Sequence, residues 1–356
     1  MFFETVVLDC IKRLRGQRTI ASVYHLLTGK KSIQTIQDAH VYQLQNYYGI
    51  CKKITKDQFD MTIKTLQNSG FIQNISNEHT SFSITEKGSK HLDKYRHDYP
   101  LQSFRGMAYN GIQDVYYNRL ILLIQTLTNS SKQYYRFIPV VDQTSAEVWV
   151  KYVYQRMKGN EQQILHSIYQ ELVEVLQTLS VLEANIFVDR LTGYKKYGKS
   201  LSQLARCYDL HENDVILILT GVIHQMLTVL KHHKTSFKWL YSMIPARQKQ
   251  TKLTNSAERT YKLWSNGITI DEIAKRRKLK ESTIHDHLVE IALYEKDFPL
   301  EHYAKKEQIE KIVLAMKEVN NFKLKDIKES VDEDITYFQI RLVLACQEHN
   351  IQGDLK

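Results

Sequence analysis

Thirteen glycines and four prolines are all that punctuate 356 residues. These two residue types break helices and supply the tight turns on which β folds depend. So sparse a set predicts a mainly α fold. The hydrophobic fraction of 43% and charged fraction of 25% are globular values, which exclude disorder as the main state. The length suffices for two or three domains. The most apolar run, VILILTGVIHQMLTVL at 215–230, is short for a bilayer and is interrupted by His224 and Gln225. It reads as a buried core helix, and no membrane association is expected. The opening MFFETVVLDCIKRLRG lacks the pattern of a signal peptide. The four cysteines are widely scattered with no CxxC pair. They read as reduced thiols of a cytoplasmic protein without a metal site.

The formal net charge of +10 is unevenly spread. Residues 1–100 carry net +5, residues 101–250 net +6, and residues 251–356 net −1. A basic body suits a polyanionic partner. The basic residues of the last segment are concentrated before residue 281.

Residues 256–293, SAERTYKLWSNGITIDEIAKRRKLKESTIHDHLVEIAL, are the most informative. Asn266-Gly267 ends a first helix. Thr269 with Glu272 makes a capping box for the next. Ile273 and Ala274 point inward, Leu279 plugs the turn, and Ile284, Leu288 and Ile291 form the buried stripe of a further helix. This is the pattern of a helix-turn-helix, whose second helix enters the major groove through its early residues. Ser282, Thr283 and His285 fall where base edges would be reached. Asp286 and Glu290 are expected among the exposed positions. Lys275, Arg276, Arg277 and Lys280, with Lys278, crowd the side where phosphates would run. The same spacing occurs earlier, since Ser200, Leu204, Ala205, Leu210 and Val215 repeat Thr269, Ile273, Ala274, Leu279 and Ile284. The second helix of that copy is apolar nearly all round and is expected to be structural.

At the other end, ITKDQFDMTIKTLQNSGFI at 54–72 predicts a helix with Thr55 and Gln58 as a capping box and Phe59, Ile63 and Leu66 on one face. Lys56 and Lys64 lie on other faces. Two short apolar runs, 71–75 and 81–84, flank the polar SNEHT, with His79 at the tip. Helix then hairpin is the order of a winged helix. In the middle, Asn160 and Gln163 suggest a capping box for a helix carrying Ile164, Ile168, Leu172 and Val175. The run Tyr134-Tyr135-Arg136-Phe137 reads as part of a core strand, with stacking on unpaired bases as the alternative. Boundaries fall near Pro100 and in the polar run 247–255, giving segments 1–100, 101–250 and 251–356.

No catalytic constellation emerges. Thr28-Gly29-Lys30-Lys31-Ser32 lacks the upstream glycine of a phosphate-binding loop, Tyr24 standing there instead. His285 and His287, like His232 and His233, point to different faces of a helix. His211-Glu212 lacks the second histidine of a zinc-protease motif. A non-enzymatic chain without cofactors is expected.

The stretch GITIDEIAKRRKLKESTIHDHL resembles the helix-turn-helix domain appended to RecQ-type helicases. The likeness continues through FKLKDIKESVDEDITYFQIRLVLAC at 322–346. Lys280 departs from the small capping residue usual there. HLLTGKKS at 25–32 and the pattern at 54–88 resemble the RecQ C-terminal winged helix. The whole order resembles the YpbB proteins of Gram-positive bacteria, a family associated with RecQ-type helicases. The resemblance implies a mainly α protein with an N-terminal winged helix bearing a small hairpin, a central helical domain and a C-terminal tandem helix-turn-helix domain. It implies contact with duplex or forked DNA through Lys56, Lys64, His79, Lys275, Arg276, Arg277, Lys280, Ser282, Thr283 and His285. The expected role is that of a cytoplasmic, nucleoid-associated accessory protein acting with a RecQ-type helicase in DNA repair or recombination. A sequence-specific transcription regulator and a protein-interaction scaffold without DNA contact remain the alternatives.

Overall fold

A computed structural model describes residues 2–75, 80–96, 100–245, 253–319 and 321–351. Nineteen α-helices and one two-stranded sheet are found among the described residues, as the scarcity of breakers requires. The chain packs as two compact units, one of residues 1–9, 46–71 and 85–246, the other of 10–45, 72–84 and 247–356.

The first unit is built around the Glu212–His232 helix. Val215, Leu217, Val222, Met226, Leu227 and Leu230 on it are almost fully buried, as expected for a core helix. By length and composition it is the one described helix that could cross a membrane, yet most of it is packed inside this unit. His224 sits in this core. Its Nδ1 accepts the Arg105 backbone N–H at 3.0 Å, and its Nε2 donates to the Gln113 side-chain oxygen. With both ring nitrogens engaged in that sense, the imidazole is neutral. Burial, reinforced by the positive charges of Arg105 and Lys52, pushes it down to about 3. Against the core helix pack Gln113–Ser130 and Val181–Asp189. The Lys56–Asn68 helix carries the full capping box between Thr55 and Gln58, with Phe59, Ile63 and Leu66 buried.

Two expectations fail in this unit. Asn160 makes no side-chain cap for the Glu161–Leu176 helix. Its backbone is not extended, so the side chain does not face the helix start, and the Glu161 carboxylate takes the Gly159 N–H instead, at 2.9 Å. The Tyr134–Phe137 run is an irregular surface segment and not a core strand.

In the second unit, Ile72–Asn74 and Phe82–Ile84 pair antiparallel, Ile72 opposite Ile84. Gly16 adopts a left-handed φ of 68°, and any β-carbon there would collide with Ile75. Gly29 is the left-handed C-cap of the Ile20–Thr28 helix, and Ser32 caps the Ile33–Val41 helix. The TGKKS run is therefore a helix–helix junction. The remainder of the unit is helical, with Ile312, Ile327, Ile335, Ile340 and Val343 in one buried cluster.

Candidate nucleic-acid interface

Three helices form the unit expected from the sequence: Asn255–Trp264, Ile270–Arg277 and Glu281–Ala292. Gly267 takes a φ of 78° and lets the chain turn after the first. Thr269 caps the second through the Glu272 N–H, but no reciprocal bond from the Glu272 side chain is formed, so only half of the expected box is present. Ile273 and Ile284 are fully buried and Ala274 nearly so, which brings the helices close. Lys278 occupies the left-handed position of the turn, with φ 52°, and the Leu279 N–H returns to the Ala274 carbonyl at 3.0 Å.

The earlier repeat has the same construction. Ser200 caps its first helix, Asp209 takes φ 52° at the position equivalent to Lys278, and the Leu210 N–H bonds the Ala205 carbonyl at 2.9 Å. His211 and Lys280 both start a helix without a side-chain cap. Two sequences with little else in common thus fold into one local geometry.

The basic residues divide into two groups. Lys275 and Arg276 are exposed, each bound to a carboxylate one turn back, Asp271 and Glu272, at 2.5 Å. Exposed i,i+4 pairs of this kind are worth a few tenths of a kcal/mol, so either side chain can be drawn to a phosphate at little cost. Lys278 and Lys280 are also exposed. Arg277 is different. Its guanidinium turns inward to the Ser256 carbonyl at 2.9 Å, the Ser256 hydroxyl at 3.1 Å, the Thr260 hydroxyl and the His287 Nδ1. Partial burial lowers its pKa and, together with the Arg277 charge, that of His287. Arg277 ties the first helix to the third and is not grouped with the exposed cations.

The third helix is most open at its start. Ser282 is exposed and Thr283 half-exposed. The His285 ring lies flat on Phe338 of the Tyr337–Ile351 helix, centroids 3.9 Å apart. Asp286 binds Arg341 at 2.6 Å, and the Arg341 Nε reaches Gln37 at 3.3 Å. Glu290, expected to be exposed, is 2% exposed and receives the Thr254 backbone N–H and hydroxyl. Burial raises its pKa while those two donors oppose the rise. The cover comes from sequence-distant helices, Ile33–Val41 and Tyr337–Ile351, which residue periodicity within 256–293 does not reveal. An aromatic series continues outward. Phe338 meets Tyr303 edge-on, Tyr303 stacks on Phe298, and Phe298 stacks on Trp264, whose Nε1 donates to the Tyr303 hydroxyl at 2.6 Å.

Of the remaining candidates, Lys56 is exposed and paired with Asp60, and Lys64 is exposed on the same helix. His79 lies outside the described residues. Among the described residues, no group of three or more His, Cys, Asp or Glu could hold a metal.

Residues 5–100 match the RQC domain family, and residues 256–344 match a helix-turn-helix domain family. Over 347 residues, 97% of each chain, the sequence is 29% identical to protein YpbB of Bacillus subtilis. The chain is thus similar to YpbB over almost its whole length. Its two matched domains are DNA-binding modules of the RecQ-related kind, placed at opposite ends of the sequence. No solved structure matches the chain.

Proposed function

We propose that this chain is a DNA-gripping accessory subunit of a RecQ-type helicase, working in repair or recombination. The observation that carries the reading is the pairing of RQC and helix-turn-helix modules in one chain. Such a chain would supply in trans the duplex contacts that longer helicases carry in cis. The covered third helix favours this over a sequence-reading regulator. With His285 and Asp286 engaged by Phe338 and Arg341, the base-reading surface shrinks to the first turn. The exposed Lys275, Arg276, Lys278 and Lys280 remain for phosphates, which position a protein but carry no sequence information.

The test is a comparison of the full chain on a random duplex, a fork and sequences selected from a pool, together with the unwinding rate of a RecQ-type helicase with and without it. Tighter binding to the fork and faster unwinding are expected. A single selected sequence bound about a thousandfold tighter than any fork would mark a regulator. Absence of salt-sensitive DNA binding would leave a protein scaffold.

A further inference from the structure

Neither matched domain reaches the stretch 101–255. Among the described residues, this stretch nevertheless displays the most exposed aromatic side chains. Tyr135 is 67% exposed and Tyr197 87%, and the ring of Tyr134, next to Tyr135 in the chain, lies 6.0 Å from that of Tyr194, three residues before Tyr197. The irregular 131–141 segment and the 190–199 turn, sequence RLTGYKKYGK, therefore share one surface. Burying large apolar rings is worth a few kcal/mol each, so rings left in water in a cluster call for a ligand.

Both segments are held in shape from below. Buried Gln125 donates to the Ile138 carbonyl at 2.9 Å and accepts the Val140 N–H at 2.8 Å. The Tyr134 N–H is tied to the Asn129 carbonyl. Gly193 and Lys196 exchange both backbone bonds across the turn. The arrangement is preorganised, and little ordering entropy remains to be lost on binding.

Four cations lie within two residues of these tyrosines in the sequence. Lys132, Arg136, Lys195 and Lys196 are exposed and none is in an ion pair among the described residues. The neighbouring carboxylate of Asp189 is already taken by Lys199 at 2.6 Å and the Tyr208 hydroxyl. Between the segments lies an open cleft of about 430 Å³, with Ile124, Leu165 and Leu191 among its apolar lining and Lys132, Tyr194 and Lys196 among its polar residues. That volume is in the range of small-ligand sites.

We propose that this face binds single-stranded nucleic acid, with bases stacked on Tyr134, Tyr135 and Tyr197 and phosphates held by Lys132, Arg136, Lys195 and Lys196. Interleaved rings and cations are what an unpaired strand requires, because every base offers a π face and every nucleotide a charge. A duplex hides its base faces and would gain only the charge term. The surface is independent of the helix-turn-helix, and it stands or falls apart from the helicase reading.

The experiment uses the full chain and a fluorescent oligothymidylate. Tyr134→Ala/Tyr135→Ala/Tyr197→Ala should weaken single-strand binding at least about tenfold, since each stacked base is worth ~1–3 kcal/mol. The Phe counterpart, which keeps the rings, should bind like the parent, and duplex binding should not change in either. Lys132→Ala/Arg136→Ala/Lys195→Ala/Lys196→Ala should make the salt slope shallower by up to about three units. Ultraviolet cross-linking of the parent chain to the oligonucleotide should label 131–141 or 190–199, a readout that needs no variant to fold. Labelling only elsewhere, or unchanged oligothymidylate affinity in the folded alanine variant, overturns the proposal. So does equal tyrosine dependence for heparin, a polyanion without bases, or for a captured protein in place of the oligonucleotide.

Discussion

His285 rests on Phe338 with the two ring planes 12° apart, and this stack covers one flank of the third helix of the helix-turn-helix. It forms between the fifth residue of the Glu281–Ala292 helix and the second residue of the Tyr337–Ile351 helix. Next to it the Asp286–Arg341 ion pair fastens the same two helices. Burial lowers the pKa of His285, with the Arg341 charge acting in the same sense, and together they outweigh Glu281 and Asp286, which favour the imidazolium.

Phe338→Ala should therefore act on stability before it acts on DNA. Losing a stacked aromatic pair costs about 0.5–1.5 kcal/mol beyond the area it buries. The measurement is Trp264 fluorescence during urea denaturation, with Trp149 and Trp239 replaced by Phe. If sequence preference on DNA changed while the midpoint stayed put, the flank would be a reading surface after all.

Lys275→Ala/Arg276→Ala/Lys280→Ala removes three exposed cations whose loss touches no core contact. The fold should persist, with a change in stability under about 1 kcal/mol. Affinity for every duplex should fall alike, and the slope of log K against log salt should become shallower by up to about three units. Arg277→Ala should show the opposite profile, with stability lost as Ser256 and the buried Thr260–His287 pair lose the guanidinium that joins them, at a cost of roughly 1–3 kcal/mol. Circular dichroism melts and salt titrations on both variants separate the two roles. A shallower salt slope for Arg277→Ala without destabilisation would return it to the DNA-contact set.

Thr55→Ala breaks the capping box at the start of the Lys56–Asn68 helix. The expected cost is about 1 kcal/mol, read as a lower urea midpoint of the full chain by tryptophan fluorescence. Thr55→Ser keeps the acceptor oxygen and should retain most of the stability. Equal midpoints for the Ala and Ser variants would mean that the box contributes nothing.

His224 gives the first unit an acid-sensitive core. Its folded pKa, about 3, lies below the ordinary histidine value of 6.5. Between those values the unfolded chain binds a proton that the folded chain refuses. Its contribution to stability is complete above about pH 6.5 and is lost as the pH falls toward 3, by up to ~1.4 kcal/mol per pH unit. The midpoint followed by Trp149 and Trp239, in a Trp264→Phe background, should drop from pH 7 to pH 5. His224→Gln, which does not titrate, should flatten that drop. An identical pH profile in the two proteins would show that His224 is not the group responsible.

Local order determined much of this protein. The lack of breakers dictated helices, Thr55 and Gln58 formed their box, Gly267 stopped its helix, and the Ser200 and Thr269 repeats folded alike. These features rest on interactions within a turn or two of chain, which residue types at fixed spacing fully specify. What only the tertiary structure decided was which polar residues stayed in water. Arg277 turned inward because Thr260 and His287 from two other helices offered it acceptors. Glu290 was buried because the Thr254 N–H and hydroxyl reached it from 36 residues away. His285 was covered because Phe338 arrived from another helix altogether. Conversely, Tyr134 and Tyr135, apolar enough for a core, remained at the surface, because Gln125 pinned the backbone on the carboxyl side of their segment to the Gln113–Ser130 helix. A side chain's periodic position fixes the face it occupies on its own helix. Whether that face meets water, a ring or a charge depends on other elements distant in the chain, whose approach local spacing does not encode.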